Sequence, residues 1–467
     1  MNILRTPAIT VPVALLVLGG LSTQAAASQL RVPGEYPTIQ AAVDAALDGD
    51  TVHVAPGVYA ESILWQGKQL ALVGTGAGNT IVDPSAGPGG RCLTMVQVPS
   101  PSRVQGITCR NGSAATGGGV LIQGGSPTLR HSVFEANIAT DGPGGGVRVE
   151  EATVVVEGCA FLDNEARGIG AGPAGGGLYL AANSHSQADV RHSVFAGNSG
   201  GMAADRVTRA IVRGTLFEDN MGGLHVDDGA SVDVQLTAFR HNHTHGGLYA
   251  PFFGDVRVSD SLFEGNISEL RGGGMHGRLG SAEVTRCVFR DNSALFGGGL
   301  SLVENESSVI DSWFIGNTAE ERGGGGVWIA IGEALVDRCH FIDNAAATIG
   351  GGVSVESDSH TTVKNTTFRG NRAGADGGGM SAAAVLGISL ESCQFSDNTA
   401  VGRGGGVSIR GFVEYARMSR SIVMRNVAGD RGGGLAIWGS QEGELLLLKN
   451  IIQRNQPDQV WIEDQQR

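Results

Sequence analysis

The chain has 467 residues, 75 of them glycine and 14 proline, with 41% apolar and 17% charged residues. Glycine is about twice ordinary usage but lacks a strict every-third spacing, and the apolar share suffices for a core, so collagenous and disordered classes are excluded. A net charge of −13 with no Lys/Arg-rich run excludes a nucleic-acid partner, whose phosphates need a basic surface.

Residues 1–27 read as a secretory signal: Arg5 gives the positive end, Val11 to Leu21 the apolar stretch, and Ala25-Ala26-Ala27 a small-residue cleavage site. The apolar run is shorter than the roughly 20 residues a spanning helix needs. The mature protein is therefore expected to start at Ser28, to be secreted to the cell surface, the exterior or the periplasm, and to have no membrane-spanning segment. Residues 28–105 are expected to hold an N-terminal cap and the first coils. Within them, Ile39, Ala42, Val43, Ala46 and Leu47 fall on one face of a short helix with Thr38 at its N-cap.

Residues 106–455 repeat. A Phe-x-x-Asn tetrad begins at Phe134, Phe161, Phe195, Phe217, Phe239 and Phe263, and again at Phe289, Phe314, Phe341, Phe368 and Phe395. Val423 and Ile452 continue the phase, and eleven of the fifteen Phe residues lie in it. An apolar residue precedes each tetrad by five positions, from Leu129 and Val156 to Leu447. Each Asn is followed by two to four glycines and then by an apolar strand start such as Val147, Leu224 or Val407. Around these stations the apolar residues alternate, which is the period of a strand.

Short strands on about three faces, repeated at a fixed interval, predict an all-β right-handed parallel β-helix of about thirteen coils, roughly 60 Å long at about 4.8 Å per coil. Glycines suit the corners, and one Asn per coil suits an internal amide ladder. The small residues two before each Phe, including Cys159, Cys287, Cys339 and Cys393, predict buried free thiols. Cys92 and Cys109 are left as a possible pair. Residues 456–467 are expected to lie over the last coil.

Tyr36-Pro-Thr-Ile-Gln, Asp48-Gly-Asp-Thr-Val and Pro56-Gly-Val-Tyr-Ala-Glu61 resemble the opening of pectin-lyase-like β-helix proteins, including pectin methylesterases. The Phe-x-x-Asn and glycine-run repeats resemble those of chlamydial polymorphic outer-membrane proteins, which implies a surface passenger for adhesion or recognition. The methylesterase Gln-Asp-Thr and Asp-Phe-Ile-Phe-Gly motifs and the pectate-lyase Trp-Ile-Asp-His signature do not occur, so their catalytic residues have no counterpart. Nothing in the sequence reads as an autotransporter barrel.

Function is sought where the repeat is broken. Coils are shortest between Phe195 and Phe263, and on the strand after the glycines the positions expected to face solvent are Tyr179, Ala203, His225, Tyr249, His276, Ser301 and Trp328. Such a stripe suits sugar rings, whose C–H bonds pack on aromatic faces. Asp205 and Asp227, with Asp228 beside them, lie on neighbouring coils, where they suit Ca²⁺ if the protein is a lyase; no other cofactor is expected. The leading expectation is non-enzymatic binding of a polysaccharide or cell-surface glycan, through Tyr179, His225, Tyr249, His276, Trp328, Asp205, Asp227 and Asp228. The alternatives are a uronate-polysaccharide lyase in the central coils and a purely structural envelope or matrix rod. His241, His243 and His245 read as an exposed turn.

Overall fold

A computed structural model describes residues 27–87, 89–168, 175–181, 186–411, 414–439 and 443–463. The signal segment lies outside the described residues apart from Ala27. The fold is a solenoid of parallel strands. Phe161 pairs with Phe195, Phe195 with Phe217, and Phe217 with Phe239, each strand lying on the one a coil earlier. Among the described residues this Phe face has sixteen strands. Three of them, within residues 57–110, precede the first Phe of the repeat.

Two other faces merge into one 29-stranded sheet, and short strands after the Asn positions form two further parallel sheets of three and seven strands. Four long strands, Val147–Glu157, Leu300–Ile310, Val327–Asp337 and Val353–Lys364, run round the corner between those faces and join them. The first of the two faces carries the residues that follow the glycines, and the second carries Val156, Val190, Val212 and their equivalents.

Inside, the eleven phenylalanines form one column with ring centroids 4.4–4.9 Å apart, almost parallel over most of its length. Each ring is buried. Beside it runs the predicted Asn ladder: the Nδ2 of Asn198 donates to the Oδ1 of Asn220 at 2.9 Å, and Asn220 repeats the contact to Asn242. At the far end Gln459 Oε1 accepts from both the backbone and the side-chain nitrogen of Asn455 and so closes the column.

The glycine corners are needed for packing as much as for dihedral freedom. At Gly299 an added Cβ would lie 2.6 Å from the carbonyl oxygen of Gly326 and 3.1 Å from the ring of Phe314. At Gly324 the φ of +76° also disfavours any side chain. All six cysteines are buried and free, including Cys92 and Cys109, which do not form the pair left open above.

The helix spans Ile39–Ala45, and the Thr38 side chain accepts from Ala41 N as its N-cap. Glu61 accepts from the backbone amides of Ile39 and Gln40, satisfying two more donors of the first turn. Ile39, Ala42 and Val43 are buried. Leu47 departs from expectation: the helix ends before it and it is 66% exposed. Val460–Ile462, within the segment expected to lie over the last coil, pairs in parallel with Leu435–Ile437. Among the described residues no helix is long and apolar enough to cross a membrane.

Candidate functional site

The strands Leu178–Leu180, Met202–Ala204, Leu224–Val226, Leu248–Ala250 and Met275–Arg278 stack in register, followed by the starts of Leu300–Ile310 and Val327–Asp337. Tyr179, Ala203, His225, Tyr249, His276, Ser301 and Trp328 therefore form one continuous row. The alignment agrees with the sequence reading; the exposure does not. Tyr179 is 9%, His276 3% and Trp328 6% exposed, and only His225 and Tyr249 of the aromatic members are partly open.

The reason is a neighbouring pair of short strands. Residues of the short strand Ile267–Arg271 and of the strand Ser293–Phe296 reach over the row. Arg271 places its guanidinium carbon 5.3 Å from the Trp328 ring centre and 5.8 Å from that of Phe296. Arg148 covers Tyr179 in the same way at 5.1 Å. Strand alternation predicts which side of the sheet a residue faces, but not what folds over it.

Tyr249 is the centre of the open part. His225 lies 5.4 Å away on one coil and His276 5.4 Å away on the next, while His245 meets the phenol edge-on at 5.1 Å. His241 and His243 are exposed as expected of a turn, but His245 belongs to this cluster. Burial pushes the Tyr249 phenol up and the His245 imidazole down. His276 is driven to about 3 by burial and by Arg271 and Arg278, so it is neutral, and its Nδ1 lies 3.1 Å from Ser301 Oγ.

The carboxylates have protein partners. Tyr179 donates its hydroxyl to Asp205, which also accepts from the backbone of Arg206. Burial, then that carboxylate, raises the Tyr179 phenol. Asp227 Oδ2 is 3.8 Å from His225 Nε2, and the contact with His225 holds the Asp227 carboxyl below its usual range. Asp228 pairs with Arg206 at 3.3 Å. Asp205 and Asp227 are thus engaged separately, and among the described residues no three His, Cys, Asp or Glu side chains are grouped to hold a metal. The other nitrogen of His225, Nδ1, is buried with no hydrogen-bond partner among the described residues.

The family described as "Right handed beta helix region" matches residues 100–239, 238–384 and 275–467. The chain belongs to that family. No curated protein matches this β-helix in sequence. Among solved structures, the mannuronan C-5 epimerase AlgE6 A-module of Azotobacter vinelandii is 13% identical, with 91% of this chain and 93% of that chain covered and a TM-score of 0.20. The family 28 exopolygalacturonase of Yersinia enterocolitica is 11% identical over 93% and 80% of the two chains, with a TM-score of 0.27. The PL6 family polysaccharide lyase Pedsa3628 from Pseudopedobacter saltans is 11% identical over 92% and 93%, with a TM-score of 0.24. Likenesses this distant transfer no residue role to this β-helix.

Two members of the site were missed in sequence. Arg271 ends the first strand of the seven-stranded sheet, beyond a shift in register, so the repeat of that sheet does not mark it. His245 sits in the glycine corner of the shortened coils, and its closeness to Tyr249 comes from the small number of residues separating them.

Proposed function

We propose that this is an exported β-helix that binds a polysaccharide through the central coils, around Tyr249. The observation that carries the reading is a partly open phenol held in place by three imidazoles, with the Asp227 carboxylate and the Arg271 guanidinium nearby. An aromatic surface of fixed orientation offers apolar contact to the C–H bonds of a sugar, and the charged neighbours offer acceptors and donors to its hydroxyls. The buried His276 ring helps fix that orientation and is not itself contact surface. Export and display at a cell surface belong to the same reading and rest on residues 1–27 and on the repeat.

The test is a glycan array probed with the chain from Ser28. Tyr249→Ala is expected to weaken binding to the retained glycans at least about tenfold; unchanged binding would dismiss the site.

A second reading is favoured by His225, with one ring nitrogen facing Asp227 and the other buried and unpaired. That arrangement suits a proton-transferring group in a uronate-polysaccharide lyase. Incubation with pectate, alginate and glycosaminoglycans plus Ca²⁺, followed by unsaturated-uronate absorbance, separates the two. Product that is lost in Asp227→Ala establishes catalysis over simple binding.

A further inference from the structure

The two ends of the solenoid are finished differently. At the first coils the helix Ile39–Ala45 packs on the interior and buries Ile39, Ala42 and Val43 there. Its Gln40 side chain also occupies a strand edge: Gln40 Oε1 accepts from Leu64 N at 2.7 Å, and Gln40 Nε2 donates to Leu64 O at 3.0 Å. These are bonds that another strand would have made, so the edge of Ile63–Gln66 is closed.

The last coil has no such cover among the described residues. Its strands Glu444–Leu448, Ile451–Gln453 and Val460–Ile462 each pair with a strand of the preceding coil and with nothing beyond. Leu445, Leu447, Ile452, Val460 and Ile462 occupy inward columns whose previous members, Ala416, Met418, Val423, Leu435 and Ile437, are all buried. None of these five last members is buried: Leu445 is 36% and Ile462 43% exposed, against 2% and 0% for Ala416 and Ile437. Core side chains meet water here, beside three free strand edges. No proline interrupts those strands, and their one charge, Glu444, is already paired with Arg417 at 2.9 Å. A free apolar edge of this kind is a template for pairing with another chain.

Whatever covers this end must bring strand edges round a ring of the same size, with apolar side chains at its centre. The opposite end of another copy does not qualify, because the helix and Gln40 close it. Residues 464–467, Asp-Gln-Gln-Arg, carry no apolar side chain. The matching surface is the same end of a second copy, turned by a twofold axis so that inward residues meet inward residues and the facing strands run antiparallel. The last coil, residues 444–463, offers about 20 residues a side, within the range of a stable interface.

We propose that the protein forms a tail-to-tail dimer through its last coil, a rod of twice the length whose core continues across the junction. Such a contact is self-complementary and uses up the one open end of each copy. The assembly therefore stops at two and does not grow into a fibre, as head-to-tail stacking would. The central coils of both copies stay uncovered, so the dimer presents two copies of the Tyr249 site on one rod.

Three lysines mark the length of the rod: Lys68 at the helix cap, Lys364 in the later coils and Lys449 on the last coil. Sedimentation velocity of the chain from Ser28 at about 1–100 μM should show twice the chain mass, since an interface of this size binds at micromolar strength or tighter. An amine cross-linker applied to a mixture of isotope-labelled and unlabelled protein should join Lys449 of one copy to Lys449 of the other. Leu445→Glu/Ile462→Glu sets like charges against each other across the junction and should weaken association at least about tenfold. Leu446→Glu, on the outer side of the same strand, should not. A monomer at every concentration would overturn the proposal and leave this end to residues beyond Glu463 or to a different protein. Links from Lys449 to Lys68 would mean head-to-tail stacking, and links through Lys364 a side-by-side pair; either overturns it, as does a dimer that survives the double variant. Should that variant loosen the last coil, the mass and cross-link of the parent still decide.

Discussion

Asn292 lies mid-column in the amide ladder, and replacing it by alanine measures what the ladder contributes. Its Nδ2 donates to Phe263 O at 3.0 Å and to Asn317 Oδ1 at 2.9 Å. Its Oδ1 accepts from Asn266 N at 3.0 Å and Asn266 Nδ2 at 2.9 Å. In Asn292→Ala the backbone N–H of Asn266, one of its amide hydrogens and the carbonyl of Phe263 lose their partners inside the solenoid. Asn317 Oδ1 keeps the backbone N–H of residue 292, at 3.1 Å. At ~1–3 kcal/mol for each of these three buried orphaned groups, the loss comes to about 3–9 kcal/mol, nearer the lower end if a water enters the vacated space.

Gln459→Ala is the matched control. Gln459 Oε1 serves the same two donors of Asn455 at 3.1 and 3.0 Å, but it is exposed, so water replaces it. Its removal should cost about 1 kcal/mol or less. Urea unfolding followed by circular dichroism reads both, as a shift in midpoint at constant slope; a changed slope would mean that parts of the solenoid unfold separately. If Asn292→Ala loses no more than Gln459→Ala, the ladder is ornament on a structure held by its aromatic column, and the reasoning fails.

Other consequences can be checked in the same laboratory. Gly299→Ala places a methyl 2.6 Å from a backbone oxygen that cannot move without disturbing the next coil, and should lose about 1–3 kcal/mol in the same urea assay; an unchanged midpoint would show the corner to be looser than described. His276 is neutral when folded, with its pKa lowered to about 3, whereas an unfolded His titrates near 6.5, so below that pH the unfolded chain binds the extra proton. Stability from this site is whole above about pH 6.5 and falls with acid at about 1.4 kcal/mol per pH unit until about pH 3; His276→Gln should flatten the curve between pH 6.5 and 5, and identical curves would refute the assignment. Burial pushes Cys159, Cys287, Cys339 and Cys393 up to about 12, so maleimide at pH 8 should leave them unmodified in the folded protein and label them in urea; rapid labelling without denaturant would contradict their burial.

Much of the fold is legible in the sequence because stacking forces each coil to repeat the last. Phe161 over Phe195 and Asn198 over Asn220 follow from their phase alone, as does the row from Tyr179 to Trp328. What the phase does not carry is cover. Alternation places Trp328 in solvent, yet Arg271 and Phe296, paired across a register shift at one end of the seven-stranded sheet, fold over it. Leu47 failed for a different reason: the helix stops at Ala45, so the helical face that would have buried Leu47 is never completed.

The Asn ladder has a direction: each amide gives forward to the next coil and receives from the one behind. A gene that gains or loses one whole turn leaves every link intact, because the new neighbours meet with the same donor and acceptor. A gain of a single residue within a strand instead flips the side chains that follow it to the wrong side. Length in this molecule is therefore quantised, and lineages that lengthen or shorten it are expected to do so by the rung.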